Sequence, residues 1–191
     1  MPARTLLPDD PAPSLGLSRS LLALGDVSDA INAVRKGRLR GGAMPEGHYT
    51  LGIAYLAGGF LDRAVGSFDT ATKVAPRFAD AWLNLGVALY RNGDIGAARQ
   101  AMHTVLRIDP GNQAASTNLA TFVRLTGDVA AGEAILQRVI ETHPDAVAAR
   151  INMAASLLHD DRPRRHWRCS RVHCPPARWR PSNGAFSRRW H

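Results

Sequence analysis

AWLNLGVALYRNGDIGAARQAMHTVLRIDP, residues 81–110, contains two apolar helical patterns interrupted by Gly93-Asp94 and closed by Asp109-Pro110. In the first half Trp82, Leu85 and Leu89 recur at three- and four-residue spacing, the signature of one buried helix face. Glycine followed by aspartate is what ends one helix in a left-handed conformation and opens the next with a polar cap. Gly86 and Ala98 place almost no side chain in the middle of each pattern, which lets two helices approach closely. The stretch therefore reads as a helix-turn-helix hairpin.

The same features return every thirty-four residues: Gly25, Gly59, Gly93 and Gly127; Pro76, Pro110 and Pro144; Gly52 and Gly86, continued by Ala120 and Ala154; Ala30, Ala64 and Ala98, continued by Gly132. Independent residue types sharing one period in fixed phase mark an internal repeat, and no single repeat can bury its apolar face alone. Helices are expected at 14–24, 28–40, 46–57, 61–74, 80–91, 95–107, 114–125, 129–142 and 147–159. The fold class is all-α, an α-solenoid of helix-turn-helix repeats over residues 14–160. Trp82 and Phe68 are expected to be costly to truncate, at roughly 1.5–3 kcal/mol for a fully buried large side chain.

Residues 81–110 resemble a near-consensus tetratricopeptide repeat through Trp82, Leu85, Gly86, Tyr90, Gly93, Asp94, Ala98 and Asp109-Pro110. Residues 45–78 match through Leu51, Gly52, Tyr55, Gly59, Ala64, Phe68, Ala71 and Pro76, with His48 in the tryptophan slot. Residues 113–146 depart further, with Ser116 in that slot and Gly132 where alanine is usual. Residues 11–44 are degenerate, and only Gly25 to Ile31, with Val34, match well. Residues 147–159 supply the first helix of a further unit, which brings the total to about four and a half repeats. The resemblance implies a right-handed superhelix whose first helices line the concave face, and a scaffold that binds a protein or peptide rather than an enzyme.

Asn84, Asn118 and Asn152 keep the same period, each on the first helix of its unit. An amide both donates and accepts, so such a ladder can pair with successive backbone groups of an extended peptide. A similar ladder lines the repeat arm of O-linked N-acetylglucosamine transferases, and the resemblance implies peptide capture here, shortened by Thr50 in the preceding unit. Asparagine at this place in such repeats also satisfies local hydrogen bonds, and the sequence leaves both roles open. Tyr49, Leu83, Val87 and Thr117 stand at neighbouring groove positions, with Ile53 and Ile151. The groove is apolar and amide-bearing, unlike the cationic clamp that grips chaperone tails in some relatives. The competing reading is a substrate-recruiting fragment of a longer glycosyltransferase or sulfotransferase.

Charge and chemistry narrow the function further. The net charge of +8 is uneven: residues 1–161 hold fifteen Lys plus Arg against all sixteen Asp plus Glu, whereas residues 162–191 hold nine Arg and no acid. That tail has no Leu, Ile or Met and carries four prolines and three of the four tryptophans, and residues 161–191 are expected to be disordered, as are residues 1–13. Its composition is that of a GC-rich, bacterial-style coding sequence read out of frame. His166, Cys169, His173 and Cys174 are soft-metal ligand types, but adjacent His173-Cys174 fits common zinc spacings poorly, so no metal site is expected. The charge of the tail is of the kind that contacts nucleic acid nonspecifically, through phosphates; no specific nucleic-acid partner is expected. His48, His103, His143 and His159 have no carboxylate or cysteine at a recurring offset, and Gly41-Gly42 and Gly58-Gly59 lack the lysine of a phosphate loop. No catalytic residue and no cofactor are expected. With no secretory signal pattern and no membrane-length apolar run, the expected location is cytoplasmic.

Overall fold

The computed structural model describes residues 12–41 and 44–159, which form nine helices: α1 (Ala12–Leu24), α2 (Val27–Gly41), α3 (Pro45–Ala57), α4 (Leu61–Val74), α5 (Ala79–Arg91), α6 (Ile95–Ile108), α7 (Gln113–Leu125), α8 (Val129–Thr142) and α9 (Val147–His159). The expectations for the first residues and for the tail beyond Asp161, including the four metal-ligand types there, lie outside the described residues. No described residue is in a strand, and no described helix is long and apolar enough to cross a membrane. Observed helix ends fall within two residues of those expected.

The turns explain that agreement. Gly25, Gly59, Gly93 and Gly127 all have positive φ, between 76° and 98°, a region open to glycine at no steric cost. Each turn closes with the amide of the next residue bonded back five residues: Asp26 to the Leu21 carbonyl, Phe60 to Tyr55, Asp94 to Leu89, Asp128 to Val123. These are Schellman closures. At two of these turns an aspartate then caps the following helix, Asp94 Oδ1 accepting from the Ala97 amide at 2.9 Å and Asp128 Oδ1 from Ala131 at 3.0 Å. Between repeats, Asn112 caps α7 by accepting from the Ala115 amide.

Within each hairpin a small residue on the first helix faces a large apolar one on the second. A Cβ built on Gly52 would lie 2.6–2.9 Å from the Phe68 ring, and one on Gly86 would collide with the Met102 methyl. Phe68 and Met102 are fully buried, as are Leu136 opposite Ala120 and Val34 opposite Ser18. Ser18 thus occupies the small slot, with its hydroxyl buried and unpartnered, and the degenerate first unit is a complete hairpin. Gly132 also has a local reason. A Cβ there would stand 2.7 Å from the Ala120 carbonyl oxygen and inside the stem of Arg124, whose side chain lies over the glycine.

Neighbouring helices pack in chain order, and first helices also touch first helices: α1 with α3, α3 with α5, α5 with α7, α7 with α9. No such contact joins α2 to α4, α4 to α6 or α6 to α8. Helices close on one side and splayed on the other describe a curved stack, with α3, α5, α7 and α9 on the inner, concave face.

The two glycine contacts differ in compliance. Gly52→Ala drives a methyl into a rigid, buried ring and should cost about 1–3 kcal/mol, whereas Gly86→Ala meets the flexible end of Met102 and should cost less. Urea melts of both variants check the order.

Candidate functional site

The concave face is built from one residue set repeated along α3, α5, α7 and α9. Because these helices share one orientation in the stack, residues thirty-four apart come to equivalent places, and the structure brings Asn84, Asn118 and Asn152 onto successive helices of one face. All three are half-buried. Thr50, at the same place in α3, is buried and its hydroxyl donates to the Glu46 carbonyl of its own helix at 2.8 Å.

The amides are divided between the fold and the groove. Asn84 Nδ2 donates to the Tyr49 hydroxyl on α3 at 3.3 Å and to the Asp80 carbonyl at 2.9 Å, which uses both its N–H groups. Asn152 Nδ2 donates to Thr121 Oγ1 on α7 at 3.3 Å. Each therefore ties its helix to the preceding first helix, and in both the Oδ1 acceptor makes no hydrogen bond to a described residue. For Asn118 the preceding helix offers Val87 where Thr121 stands for Asn152, and its amide makes no hydrogen bond to any described residue. The Oδ1 atoms of all three asparagines, and the Asn118 Nδ2, are thus not used in bonds to described residues.

The surrounding side chains set a mostly apolar floor. Tyr49, Leu83 and Val87 are half-buried, and the Tyr49 ring packs against Phe68 and Phe78 at centroid distances of 5.9 and 5.0 Å. Thr117 is 6% exposed, so the helix interface leaves little of it for a ligand. Ile151 is 61% exposed. Sequence reasoning missed Thr121, although Ile53, Val87 and Thr121 share the repeat period, and it read Tyr90 only as a repeat-consensus residue, not as the ring that stacks on Phe122 of the next first helix at 4.8 Å.

Burial pushes the Tyr49 hydroxyl above its ordinary value, Asp80 adds to the rise, and Arg19 and the bond from Asn84 oppose it. Arg19 belongs to α1, so the first, degenerate unit contributes to the electrostatics of this face. Among the described residues no group of three or more His, Cys, Asp or Glu side chains could hold a metal ion.

Models of the tetratricopeptide repeat match residues 49–113 and 89–158. Similar solved structures include a thermophilic repeat protein of Thermus thermophilus, TTC0263, at 24% identity and TM-score 0.67, covering 79% of this chain and 83% of that one. MamA from Desulfovibrio magneticus superposes with TM-score 0.71 at 20% identity, covering 80% and 86%. The second repeat domain of human RPAP3, solved in complex with the HSP70 peptide SGPTIEEVD, has TM-score 0.55 at 24% identity, covering 57% and 91%. No curated protein sequence matches the chain.

A raised tyrosine value means that the folded state holds its proton longer than the unfolded state. Stability is unaffected below the unfolded value near pH 10 and falls as pH rises from there through the folded value. Tyr49→Phe should therefore lose less stability than the wild type as pH rises above about 10, as read by urea melts at fixed pH.

Proposed function

The chain belongs to the tetratricopeptide repeat family, and from that premise we propose that it is a protein-interaction scaffold whose concave face holds an extended polypeptide segment by its backbone. The observation that carries this reading is the row of Oδ1 acceptors on Asn84, Asn118 and Asn152. An extended peptide offers a backbone N–H at regular intervals, and amide acceptors receive it without reading side chains. The acceptors stand beside an apolar floor of Tyr49, Leu83 and Val87, which suits apolar peptide side chains. Support for backbone capture of the kind seen in the repeat arms of O-linked N-acetylglucosamine transferases comes from the asparagine spacing. The polar groups at this face are mainly neutral, which favours a peptide without dense charge.

Asn118→Ala is the cleanest probe, because that amide has no structural bond to lose. Removing one neutral hydrogen bond costs roughly 0.5–1.5 kcal/mol, so affinity should fall about two- to tenfold while the melting temperature is unchanged. The ligand is a peptide selected on the wild-type protein from a random display library and titrated by calorimetry. N-methylation of its backbone amides, one at a time, should weaken binding at two or three spaced positions, and added salt should change the affinity little. Equal affinity for wild type and Asn118→Ala, together with indifference to every N-methyl group, would remove backbone capture by the asparagines.

A further inference from the structure

On the outer side of the stack, the backbones of successive second helices stand farther apart than those of the first helices, and each wedge between them is open to side chains from the first helix of the later repeat. Between α4 and α6 the filler is Trp82. Its ring packs against the clusters that contain Leu85, Ala101 and Val105, and its Nε1 donates to the Pro76 carbonyl at 2.9 Å. One repeat earlier the same slot holds His48, which is buried. One repeat later it holds Ser116, which is far too small.

The consequence is a cavity of about 560 Å³ between α6 and α8, lined by Leu106, Pro110, Ser116, Leu119, Ile135 and Val139 among others. Its wall carries counterparts of residues around Trp82, with Pro110 for Pro76, Leu119 for Leu85 and Val139 for Val105, while Arg138 and His143 add polar groups where the earlier repeat has Thr104 and Asp109. Ile135 replaces Ala101 and takes up part of the space, yet the volume that remains is in the range of ligand pockets. The carbonyl of Pro110, counterpart of the oxygen that receives the Trp82 indole, accepts no hydrogen bond from a described residue. The chain thus contains both a filled and an empty version of one site.

We propose that this cavity is a binding site for an indole ring, seated as Trp82 is seated one repeat earlier, with the ring against Leu119 and Val139 and its N–H donating to the Pro110 carbonyl. The site lies on the opposite face from the peptide groove, and its occupation does not depend on that groove.

The test uses the full chain, labelled with nitrogen-15, and free indole as the probe. Indole should shift the amide signals of residues in α7 and α8 around Ser116, Ile135 and Val139, saturably in the millimolar range or below. Benzofuran has the same shape without the N–H donor and should bind about two- to tenfold more weakly. Ser116→Trp supplies the ring covalently and should abolish the shifts; Trp82→Ser opens the preceding slot and should add a second set around Leu85 and Val105. N-acetyltryptophanamide tells the source apart: binding equal to that of indole assigns the ligand to a partner's tryptophan side chain, and its exclusion assigns a small molecule. Absence of saturable shifts with indole, or shifts that persist unchanged in a folded Ser116→Trp variant, would overturn the proposal. Should Ser116→Trp fail to fold, failure of Trp82→Ser to gain a second set would overturn it instead.

Discussion

A small residue on one helix set against a large, fully buried one sixteen residues later is the contact on which every other feature depends. Gly52 meets Phe68, Gly86 meets Met102, Ala120 shares a cluster with Leu136, and Ser18 stands in the same relation to Val34. Each pair draws the two helices of a hairpin together and buries a side chain worth about 1.5–3 kcal/mol. A left-handed glycine at the turn between them allows the reversal in two residues. The rigid hairpin then has only one way to bury its remaining apolar face, against the next hairpin.

Stacking is uneven, and the unevenness creates two surfaces of different chemistry. First helices are in mutual contact, so their polar side chains reach one another: Asn84 the Tyr49 hydroxyl, Asn152 the Thr121 hydroxyl. Those bonds go through the amide nitrogen and leave the oxygen without a bond to a described residue. Asn84 and Asn152 therefore tie neighbouring first helices together, and the proposed capture of a peptide calls only on the amide atoms that those bonds leave unused. Second helices stand apart, and each wedge between them is sealed or left open by one residue of the first helix beneath it. Trp82 seals one wedge, His48 another, and Ser116 leaves the third open.

Much of this was legible in the sequence because the period is written in residues with strong backbone consequences. Glycine at a left-handed turn and proline just after a helix end locate boundaries to within two residues, and small residues at fixed phase locate the helix contacts. Three features were not legible. Ser18 is polar, and nothing in its type says that it fills the slot of Gly52. Gly132 reads as a departure from alanine, and only the course of the Arg124 stem over it explains the exchange. The engagement of Asn84 and Asn152 depends on which hydroxyl lies across an interhelical gap, a distance that periodicity does not supply. Ser116 was recognised as a departure in the tryptophan slot, but whether neighbours collapse into the missing volume is decided by packing.

The central claim is that the inner face of α3, α5, α7 and α9, and not the outer face, receives a polypeptide through asparagine oxygens. The most direct measurement is residue-resolved mapping, by amide and side-chain nitrogen-15 spectra, of a selected peptide on the labelled protein. The account predicts that the side-chain amide signals of Asn84, Asn118 and Asn152 move together, with backbone shifts on the first helices and none on the outward positions of α4, α6 and α8. Perturbations confined to those second helices, with the three asparagine amides unmoved, would contradict it.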